Sequence, residues 1–220
     1  MIFYRNFAFQ STFNITKMTK QLEDIKAIRE MMEKSSKFLS LSGLSGIIAG
    51  IIATAGAAFA YFYLLQDPSR TDFTRIQELM ILLADAVAVL VLSIGFGIYF
   101  SQRKAKKNNQ KLFNKITLKV LYNLSIPLIA GGIFSLIFLL RGNIEIVMSS
   151  TLIFYGLALV NASKYTFEEV NYLGITEIII GLLAAIFMQK GIIFWTLGFG
   201  FCHILYGIIM YRKYDLKKND

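Results

Sequence analysis

Three ionisable side chains, Asp85, Glu177 and His203, lie within apolar stretches long enough to cross a lipid bilayer. A charged group at membrane depth costs about 3 kcal/mol on insertion scales, so such residues are the first candidates for function. A buried carboxylate and an imidazole can exchange a proton near neutral pH. These residues therefore predict an intramembrane polar site that handles protons or cations.

Glu177 and His203 are expected at similar depth on neighbouring helices. Glu177 follows the expected start of its span by five residues, and His203 precedes the expected end of the next span by eight, about 12 Å from the same edge. The two side chains can therefore meet, whereas Asp85 lies toward the opposite membrane face. The alternative interpretation is structural: Glu177 is a protonated or hydrogen-bonded packing residue, His203 a core histidine and Asp85 interfacial.

Other chemistry is poorly supported. The sequence has no G-x-x-x-x-G-K-[ST], no H-E-x-x-H and no C-x-x-C motif. One histidine excludes a multi-histidine metal site, and one cysteine, Cys202, excludes an intramolecular disulfide. No nucleophile and base can be paired from the sequence. We therefore predict no metal, no cofactor and no enzymatic activity.

Composition places the chain in the membrane. Of its 220 residues, 55% are hydrophobic and 17% charged, which is too much apolar surface for one soluble core of this size to hide. The net charge of +9 could indicate nucleic acid, but in a protein with several spans a basic excess normally lies in cytoplasmic loops. The expected partner is the lipid bilayer and not nucleic acid.

The apolar runs predict an all-α, polytopic bundle of six transmembrane helices. The first and longest run is uncharged. The predicted spans cover residues 38–65, 79–100, 120–140, 146–162, 172–188 and 192–211. They form a membrane domain over 38–212, and a basic tail follows at 213–220.

The basic residues predict the orientation. With six spans, 19 of the 23 Lys and Arg fall on the side of the two termini, including seven in a loop at 101–119 that has no acidic residue. Cytoplasmic segments carry such an excess. Both termini are therefore expected in the cytoplasm.

The residues before the first span divide into two segments. Leu22, Ile25, Ile28 and Met31 recur at helical spacing and predict a cytoplasmic amphipathic helix over 18–37. This helix either lies on headgroups and the protein's own loops, or uses residues 19–37 to dock a membrane or cytoplasmic protein or a second copy of the chain. Residues 1–17 are expected to be disordered, or an extension upstream of a translation start at Met18.

Small residues indicate close helix packing. Ser42, Gly46, Gly50, Thr54 and Ala58 recur at every fourth position of the first span. Residues 43–53 also match residues 174–184, with Glu177 in place of Gly46. The predicted packing residues are Ser42, Gly43, Gly46, Gly50, Gly174 and Gly181.

The stretch IREMMEKSSKFLSLSGLSGIIAG at 28–50, with LGITEIIIG at 173–181, resembles a family of small bacterial six-span membrane proteins that have a short cytoplasmic N-terminal helix and no assigned activity. The similarity runs from about Met18 to the end of the chain. It implies a bacterial inner-membrane location and supplies no catalytic residues. Sequence alone favours a structural or accessory subunit of a membrane assembly. The alternative is a small proton- or cation-coupled transporter or channel that uses Glu177, Asp85 and His203.

Overall fold

The computed structural model describes Ile25 and residues 41–62, 75–107 and 112–216. These ranges contain helices and no strand, and six of the helices are long and apolar enough to cross a membrane. The predicted fold class is therefore confirmed. The expected extension at 1–17 and the amphipathic helix at 18–37 lie outside the described residues, apart from Ile25, which is helical and exposed.

The six helices agree with the predicted spans in order and differ in length. Their bounds are α1 Gly43–Ala60, α2 Arg75–Lys107, α3 Lys115–Leu140, α4 Ile144–Ser163, α5 Glu168–Ile186 and α6 Met188–Leu216. The prediction of a loop over 101–119 is wrong in its extent, because α2 continues to Lys107 and α3 starts at Lys115. Gln, Lys and Arg are good helix formers, so a basic segment can prolong a helix beyond its apolar part.

α3 shows how the chain satisfies its backbone at membrane depth. Asn114 caps the helix, since its side-chain oxygen accepts from the backbone N–H groups of Ile116 and Thr117 at 2.9 Å each. Pro127 lies inside the helix and has no N–H to offer the carbonyl four residues earlier. That carbonyl, of Asn123, instead accepts a hydrogen bond from the side chain of Asn161 in α4 at 2.8 Å. The proline thus creates a polar link between two spans.

α6 is not a uniform α-helix. After a 3₁₀ turn and a short α-helical stretch it widens into a π-helix at Thr196–Cys202, returns to α at His203–Met210 and widens again at Tyr211–Leu216. π-helical segments are rare and occur frequently at functional sites. The candidate residue on α6, His203, directly follows the first of these segments.

The helices pack in a row. α1 contacts α2 on one side and α6 on the other, α6 contacts α4 and α5, and α4 lies between α5 and α3. The apolar core lies mainly between α4, α5 and α6 and includes Leu152, Leu159, Leu173 and Ile180. In α2, no residue of the most apolar 18-residue window is buried among the described residues, which leaves a large apolar surface on this helix.

Candidate functional site

The structure brings Glu177 and His203 together. Glu177 lies near the middle of α5, and His203 follows the first π-helical segment of α6. The Glu177 Oε1 atom lies 3.3 Å from the His203 Nδ1 atom, which is within ion-pair distance. The side chain of Glu177 has no solvent exposure, and His203 is 8% exposed. A carboxylate and an imidazole are therefore paired inside the bundle.

The imidazole is held at both nitrogens. The Tyr155 hydroxyl of α4 lies 2.8 Å from Nε2, and the Gly198 carbonyl lies 3.1 Å from Nδ1. A carbonyl can only accept, so Nδ1 carries a hydrogen. A tyrosine hydroxyl can donate or accept, so Nε2 can be bare or protonated without losing its partner. The surroundings thus accommodate both the neutral and the positively charged ring.

Glu177 has no such choice of partners. Within the described part of the chain, neither carboxylate oxygen has a hydrogen bond, and the contact with His203 Nδ1 is the polar contact that the carboxylate makes. An isolated buried carboxylate is very costly, whereas a carboxylate beside an imidazolium has no net charge. Among the described residues, His203 is therefore the group placed to compensate a charge on Glu177.

Gly198 makes room for the carboxylate. A methyl group at this position would collide with Glu177 Oε2 and would lie 2.5 Å from a methyl carbon of Leu152. A side chain at this position would therefore force the ends of Glu177 and Leu152 to move. Phe199, the next residue, packs on the Tyr155 ring at 5.1 Å and on the Trp195 ring at 4.8 Å. Tyr155 and Phe199 also pack on the His203 ring, at 5.4 and 5.9 Å.

Tyr155 and Gly198 were not selected from the sequence. Gly198 gives no signal, because a glycine in a span has no chemical signature of its own. Tyr155 had a usable signal: tyrosines in spans concentrate at the membrane surface, and Tyr155 lies in the middle of α4. A central tyrosine at the depth of a carboxylate and a histidine is a sign of a polar site.

Asp85 does not join this site. It lies half-buried on α2, next to Gly56 of α1, where an added methyl carbon would be 3.4 Å from Oδ1. His203 instead faces the other end of α1, since its carbonyl lies 3.4 Å from the corresponding position at Gly46. Ten residues of α-helix separate Gly46 from Gly56, or about 15 Å. The predicted polar site is therefore a pair, with Asp85 at another depth.

The predicted packing glycines line two seams. Gly43, Gly46 and Gly50 face α6, with a methyl carbon at Gly50 only 2.6 Å from the Gly200 carbonyl. Gly174 and Gly181 face α4, with a methyl carbon at Gly174 only 2.8 Å from the Gly156 carbonyl. Ser42 differs, because its hydroxyl bonds to Asp215 at 3.3 Å.

The stripe at every fourth residue of the first span does not reach Ala58, which is exposed. A four-residue repeat drifts by about 40° per step on a helix of 3.6 residues per turn. Over the four steps from Ser42 to Ala58 the repeat therefore turns away from α6. The buried positions shift to Ala53, Gly56 and Ala60.

A cleft of about 610 Å³ opens at the end of the bundle where α1 ends and where α4 and α6 begin. Its lining includes Tyr61, Asn143, Glu145, Met148 and Gly191, and Glu177 is not part of it. Gly191 precedes Gly198 by seven residues, so the cleft ends about 10 Å short of the pair along α6. The cleft therefore does not reach the pair.

Comparison of the chain with protein-family models, curated proteins and solved structures gives no match. The resemblance to small bacterial six-span proteins stays a prediction.

Proposed function

We propose that this protein is a small proton-coupled transporter or channel in which Glu177 and His203 carry the proton and Tyr155 holds the imidazole in place. The observation that supports it is the buried contact between Glu177 and His203. A fully buried carboxylate without hydrogen bonds is rare in folded proteins and needs a reason. Charge compensation by a titratable imidazole, and not by an arginine or lysine, makes that charge adjustable near neutral pH.

We place the protein in the bacterial cytoplasmic membrane with both termini inside. The excess of basic residues on one side supports this orientation. The proton would then pass between the periplasmic side, where the cleft opens, and the cytoplasmic side, where α6 ends.

Proton flux in proteoliposomes tests the proposal. With an imposed potassium gradient and valinomycin, the wild-type protein should take up protons, and Glu177→Gln should abolish the uptake because it removes the proton site while keeping the side-chain size. Glu168→Gln is the matched control, since Glu168 is an exposed carboxylate on the same helix. Wild-type vesicles that are no more permeable to protons than empty ones would refute the proposed function.

The fluorescence of Trp195 gives a second readout that needs no substrate. It is the only tryptophan in the chain and packs on Phe199, whose ring stacks on His203 at 5.9 Å. Its emission should change with pH between about pH 5 and 9, the range that contains an ordinary histidine titration. The change should disappear in His203→Gln and shift in Glu177→Gln.

The second candidate is an accessory subunit of a membrane assembly. It is favoured by α2, a helix of 33 residues whose most apolar window contains no buried residue and could accept a partner helix. Under this alternative, Glu177→Gln folds and assembles normally, Trp195 emission does not respond to pH, and the carboxyl group is part of the packing.

A further inference from the structure

The end of α6 connects to three other helices through charged side chains. The π-helical segment Tyr211–Leu216 carries three consecutive polar residues, Lys213, Tyr214 and Asp215, and each of them contacts another part of the bundle. This end also contains the last turn of α2 and the first turns of α1 and α5. It is the end that the basic residues mark, and we call it the basic end.

Asp215 connects α6 to α1 and α2. Its Oδ1 atom lies 2.6 Å from the Lys104 Nζ atom, and both side chains are nearly buried, at 12% and 13% exposure. Its Oδ2 atom accepts from the backbone N–H of Gly43 at 3.1 Å, at the start of α1. A carboxylate at a helix N-terminus is also favoured by the helix dipole. The contacts of Asp215 therefore fix the end of α6 to two helices.

Glu169 connects the same segment to α5. Its Oε1 atom lies 2.6 Å from the Lys213 Nζ atom, and the Tyr214 hydroxyl donates to the carboxylate at 3.0–3.1 Å. The Tyr214 ring stacks on Phe167 at 4.1 Å, and Lys104 Nζ lies 5.4 Å from the centre of the same Phe167 ring. The two ion pairs are thus joined through one aromatic ring. We call this set the latch: Lys104, Glu169, Lys213, Tyr214 and Asp215.

The rest of the seam between α6 and α1 is apolar packing. It is formed by glycines, Gly43, Gly46 and Gly50 on α1 against Gly200 and Gly207 on α6, with the side chains of Ile47 and Ile204 packed beside them. A buried ion pair is costly to break by removing one partner. The Lys104–Asp215 pair therefore adds a polar attachment to the end of α6.

We propose that the latch is the gate that closes the basic end over the Glu177–His203 pair. While it is closed, the end of α6 is fixed to α1, α2 and α5, and the pair is shielded from that side. When it opens, the end of α6 moves away from α5, to which Glu169 holds it, and exposes the pair that lies between the two helices. The inference rests on the proposed function for what passes the gate, but the opening itself is measurable without any substrate.

Cys202 is a built-in reporter of this movement. It is the only cysteine in the chain, it is 7% exposed, and it precedes His203 directly. Lys104→Ala and Asp215→Asn should each speed its reaction with a membrane-impermeant maleimide about tenfold, and only when the reagent is on the basic side. Asp215→Asn keeps an oxygen for the Gly43 N–H and so removes the charge without removing the cap.

Two controls separate opening of the latch from general loosening. Lys106→Ala removes an exposed charge near the end of α2 and should leave the labelling rate unchanged. Asn114→Ala destabilises the protein through the cap of α3 and should accelerate labelling less than a latch variant of equal melting temperature. Equal rates in wild type and both latch variants, or equal acceleration by Asn114→Ala, would overturn the gate. Because labelling does not measure flux, a protein that conducts no protons but still opens would contradict the proposed function alone.

Discussion

The glycine seam between α1 and α6 predicts the effect of adding one methyl group. In Gly50→Ala the new carbon would lie 2.6 Å from the Gly200 carbonyl oxygen and 2.9 Å from the Ile204 backbone nitrogen, where ordinary contact begins at 3.4 Å. The backbone of α6 cannot rotate out of the way as a side chain could. The two helices must therefore separate by about 0.8 Å, the difference between 3.4 and 2.6 Å.

The cost follows from that separation. Overpacking a well-packed contact costs about 1–3 kcal/mol, and a gap of this size along the seam forfeits roughly a quarter to a half of the dispersion energy of the neighbouring contacts. The higher helix propensity of alanine offsets at most about 1 kcal/mol of this loss in stability. We expect a net loss of about 1–2 kcal/mol, which for a protein of this size lowers the melting temperature by roughly 2–8 °C.

Thermal unfolding followed by circular dichroism in mild detergent measures this loss. Gly95→Ala is the matched control, because a methyl carbon at Gly95 has nothing within 4 Å, so its melting temperature should equal or exceed that of wild type. If Gly50→Ala melts together with Gly95→Ala, α1 and α6 do not approach at this seam, and the packing argument fails.

Two further predictions concern topology and the start of α3. In a Cys202→Ser background, a cysteine at position 70 should react with an impermeant maleimide in intact cells and a cysteine at position 106 should not; the opposite pattern would invert the orientation. Asn114→Ala should destabilise the protein by about 1 kcal/mol, since it leaves the N–H groups of Ile116 and Thr117 without their cap. A melting temperature equal to that of wild type would show that water replaces the cap.

The sequence predicts the spans well and the interior only in part. Spans follow from apolar length, a property of each segment alone, and Glu177 and His203 could be matched because both depths count from the same membrane edge. Tyr155 and Gly198 depend on how α4 and α6 rotate about their axes, which local composition does not encode. The π-helical segment adds to the difficulty, because it changes the rotation of every later residue of α6 relative to a regular helix.

The sequence predicts the ends of the helices only in part, because a helix can continue beyond its apolar segment. Polar residues continue α2 to Lys107 and α6 to Leu216, where an apolar-length criterion stops too early. The sequence does not predict the latch either, because Lys104 falls in the predicted loop at 101–119 and Asp215 in the predicted tail at 213–220. Their pairing joins residues 111 positions apart and arises only from the packing of α2, α1 and α6.

The central position of α6 in the row also governs how the chain is made. α1 and α2 are joined to α3, α4 and α5 chiefly through α6, which leaves the ribosome last. The 156 residues that follow Ala60, up to Leu216, take about 8–30 s to synthesise at 5–20 residues per second. Throughout that interval the glycine face of α1 lacks its natural neighbour, and the helix of another nascent chain could occupy it. Newly made protein is therefore most prone to swapped dimers at this seam, and crowding of ribosomes on one message should increase them.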